Sequence, residues 1–141
     1  MFKTKDYIVV VPARYSSKRL PGKPLKIISG IPMIIRTCLM CLKVIDKSRL
    51  IVASDDRRII NCCKKYEIKA MITSKKCKTG TDRVAEVAKK IKVKNYINVQ
   101  GDEPLFNHLD LKKIIKYTKN NKKVLLGYTS IGNKKDFNNK N

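Results

Sequence analysis

Short apolar runs rich in β-branched residues alternate with longer segments of helical periodicity along nearly the whole chain, and that alternation leaves few folds open. Residues 7–11, 50–54, 70–73, 96–99 and 124–128 read as buried strands. Between them lie helical segments at 32–44, 57–66, 81–91 and 109–120. Strands joined through helices pair in parallel, because the connection must cross the sheet, and a parallel sheet has to be covered on both faces. The expected fold is therefore α/β, a mostly parallel, Rossmann-like sheet with helices on both faces. Pro32 near a first turn, Asp55-Asp56 ahead of Arg57, and Asp110 after Asn107 mark helix starts. No internal repeat or linker divides the chain, so residues 1–141 read as one domain, with 132–141 polar enough to be disordered.

The segment Val11-Pro-Ala-Arg-Tyr-Ser-Ser-Lys-Arg-Leu-Pro-Gly-Lys-Pro-Leu25 follows the first strand directly. In open α/β sheets ligands collect at the carboxyl ends of the strands. Arg14, Lys18, Arg19 and Lys23 can meet phosphate oxygens there with charge-assisted hydrogen bonds, and Gly22 is expected to let the backbone approach a ligand closely. The loop is not a P-loop: Gly22-Lys23 lacks the glycine upstream and the Ser or Thr after the lysine, and the chain has no G-x-G-x-x-G. The alternative reading of this segment is a solvated basic loop joining a strand to a helix.

A second segment, Asn95-Tyr-Ile-Asn-Val-Gln-Gly-Asp-Glu-Pro-Leu105, is a strand that ends in two carboxylates, with Gly101 to bend the chain. Magnesium bridging phosphates uses one or two carboxylates plus substrate oxygens, so Asp102 suffices to begin a site. Alone this is an ordinary acidic turn; paired with the basic loop it favours a metal–phosphate site. In Thr79-Gly-Thr-Asp-Arg83 a glycine is followed by a capping threonine and a helix N-terminus that attracts anions.

The net charge of +22, from 33 basic and 11 acidic residues, supports a rival class, a nucleic-acid binder. Only seven of the 33 are arginines, and the lysines are scattered along the chain, so the charge implies non-specific association with nucleic acid rather than a reading surface. Cys38-Leu-Met-Cys41 has half the spacing of a zinc site, but no second C-x-x-C or paired His completes it and His108 is the sole histidine. Cys38, Cys41 and Cys62 sit among apolar neighbours, where free Cys acts as a small hydrophobe. No apolar run reaches membrane-spanning length, and the start leads straight into the first strand, leaving no room for a signal peptide. A cytoplasmic location is expected.

The stretches Val11–Leu25, Gly30-Ile-Pro-Met33, Ile51-Val-Ala-Ser-Asp-Asp56, Met71-Ile-Thr-Ser74, Thr79-Gly-Thr-Asp-Arg-Val-Ala-Glu-Val87 and Val99-Gln-Gly-Asp-Glu-Pro-Leu105 together resemble the 3-deoxy-manno-octulosonate cytidylyltransferases, the CMP-Kdo synthetases. The resemblance implies a nucleotide-diphospho-sugar transferase-like fold and transfer of a cytidylyl group from CTP to 3-deoxy-D-manno-octulosonate (Kdo), giving CMP-Kdo and pyrophosphate for lipopolysaccharide. It implies catalytic roles for Arg14, Lys23 and Asp102, with Asp102 holding Mg²⁺. Pro12, Ala13, Arg14, Lys23, Thr73, Ser74, Arg83 and Gln100 would contact the nucleotide, and Arg19 and Gln100 the sugar acid.

Family chains run on by roughly a hundred residues, a further small domain's worth. That portion supplies the rest of the sugar-acid pocket, a second metal-binding Asp and much of a homodimer contact. The expectation for this chain is a truncated nucleotide half that binds CTP weakly and turns over slowly or not at all. Two alternatives stand beside it: a transferase for another acid sugar, and a basic binding module without catalysis.

Overall fold

The computed structural model describes residues 6–17 and 19–118. The expected strand at 124–128, the tail at 132–141 and Lys18 lie outside them. Strand β1 (Tyr7–Ala13) is a run of apolar residues buried on both faces, and β4 (Leu50–Ser54) is buried at every position. Around them lie β5 (Ala70–Ile72) and β6 (Asn95–Asn98), giving a parallel sheet in the order β5-β4-β1-β6. Val11 is in register with Val52, and Val9 with Ile97.

Alternation along the strands divides the core in two. Val9, Val11, Leu50, Val52 and Ile97 face one side, where they pack against α1 (Met33–Leu42), α2 (Arg57–Lys65) and α4 (His108–Thr118). Ile8, Val10, Ile51 and Ala53 face the other and meet Val87 of α3 (Gly80–Lys90). Helices therefore cover both faces. The chain steps outward from β1 through α1 and α2 on one face, then returns through α3 on the other to place β6 beside β1. Right-handed crossovers require that change of face when the direction of travel reverses.

The helix ends follow local chemistry. Asp56 caps α2, its Oδ1 accepting from the Arg58 N–H at 2.8 Å, and Asn107 Oδ1 accepts from the Leu109 N–H at 3.0 Å at the start of α4. The cap of α3 is Thr79, ahead of Gly80, and not the threonine after it. Thr79 Oγ1 accepts from the Asp82 N–H, and Asp82 Oδ2 accepts in return from the Thr79 N–H. Those backbone donors hold the Asp82 carboxyl below its usual range. Cys38, Cys41 and Cys63 are fully buried between α1 and α2 and behave as small apolar side chains. Burial pushes the Cys41 and Cys63 thiols up to about 12.

One element was not expected. Strands β2 (Ile27–Ile28) and β3 (Ile31–Pro32) form a small antiparallel hairpin, closed by Ser29 and Gly30, both at positive φ (45° and 80°). Two central residues at positive φ define the tight turn whose twist matches that of paired strands. No helix among the described residues is long and apolar enough to cross a membrane.

Candidate active site at the end of the parallel sheet

Counting only the parallel strands, the sheet order is third, second, first, fourth, and the order reverses between β1 and β6. A crevice opens there beyond the strand ends, the usual ligand position in such sheets. It is a cavity of about 440 Å³. Pro12, Ala13 and Arg14 form its base at the end of β1, and Gln100, Gly101 and Asp102 form the side beyond β6. The third side is the start of α3, with Gly80 and Arg83, and the loop after β1 brings Arg19 and Lys23 across the top.

Two glycines allow these walls to close. A Cβ on Gly101 would lie 2.6 Å from the Pro12 carbonyl oxygen and 3.0 Å from Ile34 Cδ1. Gly101 sits in the bend expected there, a turn in which the Glu103 N–H donates to the Gln100 carbonyl at 3.3 Å, and it is also the contact point between β1 and the acidic loop. The Thr37 hydroxyl, buried on α1, holds the same loop by donating to the Gly101 carbonyl at 3.1 Å. A Cβ on Gly80 would meet Pro12 Cγ at 3.0 Å, which sets how near α3 can come to β1.

The basic loop is folded, and its fold aims Lys23. Gly22 sits at φ +70°, its N–H donates to the Tyr15 carbonyl at 2.8 Å, and any Cβ there would strike the Tyr15 ring at 3.0 Å. Its close approach is thus to Tyr15, where a ligand was expected, and its left-handed conformation favours glycine. The Arg58 guanidinium stacks 3.3 Å from the centroid of the Tyr15 ring while binding Asp56 through two nitrogens, at 2.9 and 2.7 Å. A short helical turn at Lys23–Leu25 follows. Lys23 Nζ donates to Asp102 Oδ2 at 2.9 Å, across 79 residues of sequence. That bond holds the Asp102 carboxyl below its usual range; burial opposes the shift, and the charge on Arg14 adds to it.

Eight of the residues expected to form the site line this cavity: Pro12, Ala13, Arg14 and Gln100, with Arg19, Lys23, Arg83 and Asp102. Thr73 and Ser74 are placed differently. They stand behind Arg83, whose Nη1 donates to Thr73 Oγ1 at 2.8 Å and to the Ser74 carbonyl at 3.2 Å. Sequence reasoning missed two residues that brace this side. Asp55 pairs with Arg83 Nη2 at 3.1 Å. Glu86 accepts from the Ser74 N–H at 2.8 Å and from the Cys77 thiol at 3.3 Å, which ties the loop before α3 to its helix. Both lie in stretches that carry the family resemblance, Asp55 also beside a helix cap, but nothing in the sequence assigned either a partner.

The strand order and the cationic cavity at its reversal define a doubly wound α/β domain built to take an anionic ligand. Comparison with known proteins narrows this. The family model described as cytidylyltransferase matches residues 8–141, and the chain belongs to that family. It is 46% identical over 103 residues to the 3-deoxy-manno-octulosonate cytidylyltransferase of Marinobacter nauticus, covering 71% of this chain and 39% of the relative. Against the enzyme of the same name from Escherichia coli it is 41% identical over 108 residues, covering 77% and 44%. The chain thus spans less than half the length of these relatives.

Among solved structures, CMP:2-keto-3-deoxy-manno-octonic acid synthetase complexed with CTP matches with a TM-score of 0.78 and 38% identity, over 82% of this chain and 48% of that one. A cytidylyltransferase from Leptospira borgpetersenii, 18% identical, shares the fold at a TM-score of 0.73, over 84% of this chain and 50% of that one.

Proposed function

We propose that this chain is the CTP-binding part of an enzyme that transfers a cytidylyl group to Kdo. The observation that carries the reading is the meeting of Lys23 and Asp102 at 2.9 Å in a cavity at the strand-order reversal. A cation for phosphate oxygens and a carboxylate for a metal ion are there within reach of one triphosphate. The named relatives supply the cytidine and the sugar acid.

In the reaction, a hydroxyl oxygen of the sugar acid forms a bond to the α-phosphorus of CTP. The bond from that phosphorus to the bridging oxygen breaks, pyrophosphate leaves with the electron pair, and the hydroxyl proton passes to solvent. Such transfers ask for placement and charge neutralisation more than covalent help. Arg14 and Lys23 neutralise charge building on the leaving pyrophosphate. Arg19 meets the carboxylate of the acid or a phosphate. Arg83, held by Thr73 and Ser74, faces the nucleoside with Gln100.

Among the described residues no group of three or more His, Cys, Asp or Glu is placed to hold a metal by itself. Magnesium does not need one, since it commonly takes one or two carboxylates and completes its shell with water and phosphate. The Asp102 carboxylate on the cavity wall fits that requirement. When bound, the ion would supply positive charge that offsets the charge of the phosphates.

Thermal shift tests the reading. Any ligand that binds the folded chain alone raises its melting temperature, by an amount that grows with the logarithm of ligand concentration over its Kd. CTP with Mg²⁺ is expected to stabilise the chain where ATP with Mg²⁺ does not, and duplex DNA is expected to act only at low salt. Equal shifts with CTP and ATP would overturn the cytidine assignment, and a salt-resistant shift with DNA would favour the nucleic-acid class.

A further inference from the structure

Two adjacent aspartates follow β4 and do different work. Asp56 serves its own helix, capping α2 and pairing with Arg58. Asp55 reaches to α3, where its Oδ2 lies 3.1 Å from Arg83 Nη2. The side chains are 4% exposed for Arg83 and 16% for Asp55, so the pair is nearly out of water. Arg83 is fixed at its other terminal nitrogen too, by Thr73 Oγ1 and the Ser74 carbonyl. Yet Arg83 also lines the cavity.

The remaining cations of the cavity are unlike it. Arg14, Arg19 and Lys78 are exposed, and Lys23 is half-buried against a carboxylate that is itself exposed. Among the described residues Arg83 is thus the one buried cation of the cavity, and its charge is already neutralised. A buried guanidinium with its charge cancelled and its plane fixed is a set of directional donors, not an anion trap. The second Asp55 oxygen is buried with no hydrogen-bond partner among the described residues. Here the carboxylate grips the arginine from one side and sets its orientation.

We propose that Asp55 is a positioning residue for nucleoside recognition. By cancelling and orienting Arg83, it makes the Arg83 wall of the cavity accept an uncharged pyrimidine base and leaves phosphates to the exposed cations and the Lys23–Asp102 side. The inference rests on the CTP reading given above.

The test is equilibrium binding of CTP, UTP and inorganic triphosphate to the 141-residue chain and to Asp55→Asn and Asp55→Glu, with melting recorded for each. Asp55→Asn keeps the shape and an acceptor but leaves the Arg83 charge uncancelled. It is expected to tighten inorganic triphosphate about tenfold and to lower the preference for CTP over UTP about tenfold, the scale of one charge-assisted hydrogen bond. Asp55→Glu is expected to restore weak triphosphate binding. A purely structural Asp55 would lower the melting temperature and leave both ratios unmoved, which overturns the proposal.

Should Asp55→Asn fail to fold, Thr73→Val decides. It removes one Arg83 partner without changing charge, and must lower the preference for CTP while leaving triphosphate affinity alone; an unchanged preference overturns the proposal. If the unaltered chain does not prefer CTP to UTP, the functional reading falls and this inference with it. If it does and Asp55→Asn keeps that preference, only this inference falls.

Discussion

Lys23→Ala lowers the rate of cytidylyl transfer by about 10²- to 10³-fold, the usual cost of removing a group aimed at charge that develops in the transition state. The measurement uses a chimera joining this chain to the remaining C-terminal portion of the Marinobacter nauticus relative, because the chain alone spans 39% of that protein. Stability changes much less. The side chains of Lys23 and Asp102 are 37% and 52% exposed, and ion pairs so open to water contribute no more than about 1 kcal/mol. A rate loss of this size corresponds to about 2.7–4 kcal/mol of transition-state stabilisation, so catalysis and folding separate cleanly in this variant. Pyrophosphate release at an unaltered rate would remove Lys23 from the machinery.

Gly101→Ala destabilises the chain by about 1–3 kcal/mol, the usual range for forcing volume into a packed site. The new methyl would stand 2.6 Å from the carbonyl oxygen of Pro12, which is backbone of the central strand and cannot rotate aside. Relief requires the acidic loop to move away from β1, and Asp102 moves with it. The loop is also held by Thr37, so part of the strain passes into α1. Urea unfolding measures the first effect. CTP affinity measures the second, with a loss of at least about tenfold expected once Asp102 is displaced. A variant as stable as the parent would mean that the contact between β1 and this loop is looser than the structure shows.

The fold was readable where burial is complete. β1 and β4 are buried along nearly their whole lengths, so short apolar runs announced them, and the helices between the strands gave the parallel arrangement. The hairpin of β2 and β3 was missed because strands of two residues are too short to show a period. Ser29-Gly30 between Ile27-Ile28 and Ile31-Pro32 was the available turn signal.

The site was readable as two loops of opposite charge expected to share a phosphate group, but the packing that joins them was not. Lys23 and Asp102 meet because β6 inserts beside β1, and that is decided by the crossover through α3, far from either loop in sequence. Asp55 stayed hidden for the same reason. Asp-Asp before a helix reads as a cap, and only the packing of α3 against the sheet shows that one of the two serves Arg83. Gly22 and Gly101 were noticed as points of approach and bending, and the structure adds that each also makes room for a neighbour within the protein.

The central claim is that one triphosphate lies between the basic loop after β1 and the acidic loop after β6. Crystals of the chain grown with CTP and Mn²⁺ test it most directly, because the metal is located by its anomalous signal. The account predicts a manganese peak on the Asp102 carboxylate, with phosphate oxygens on both that ion and Lys23 Nζ, and the cytosine on the Arg83 side. A nucleotide bound in any other place, or in this cavity with its phosphates against Arg83, would contradict it.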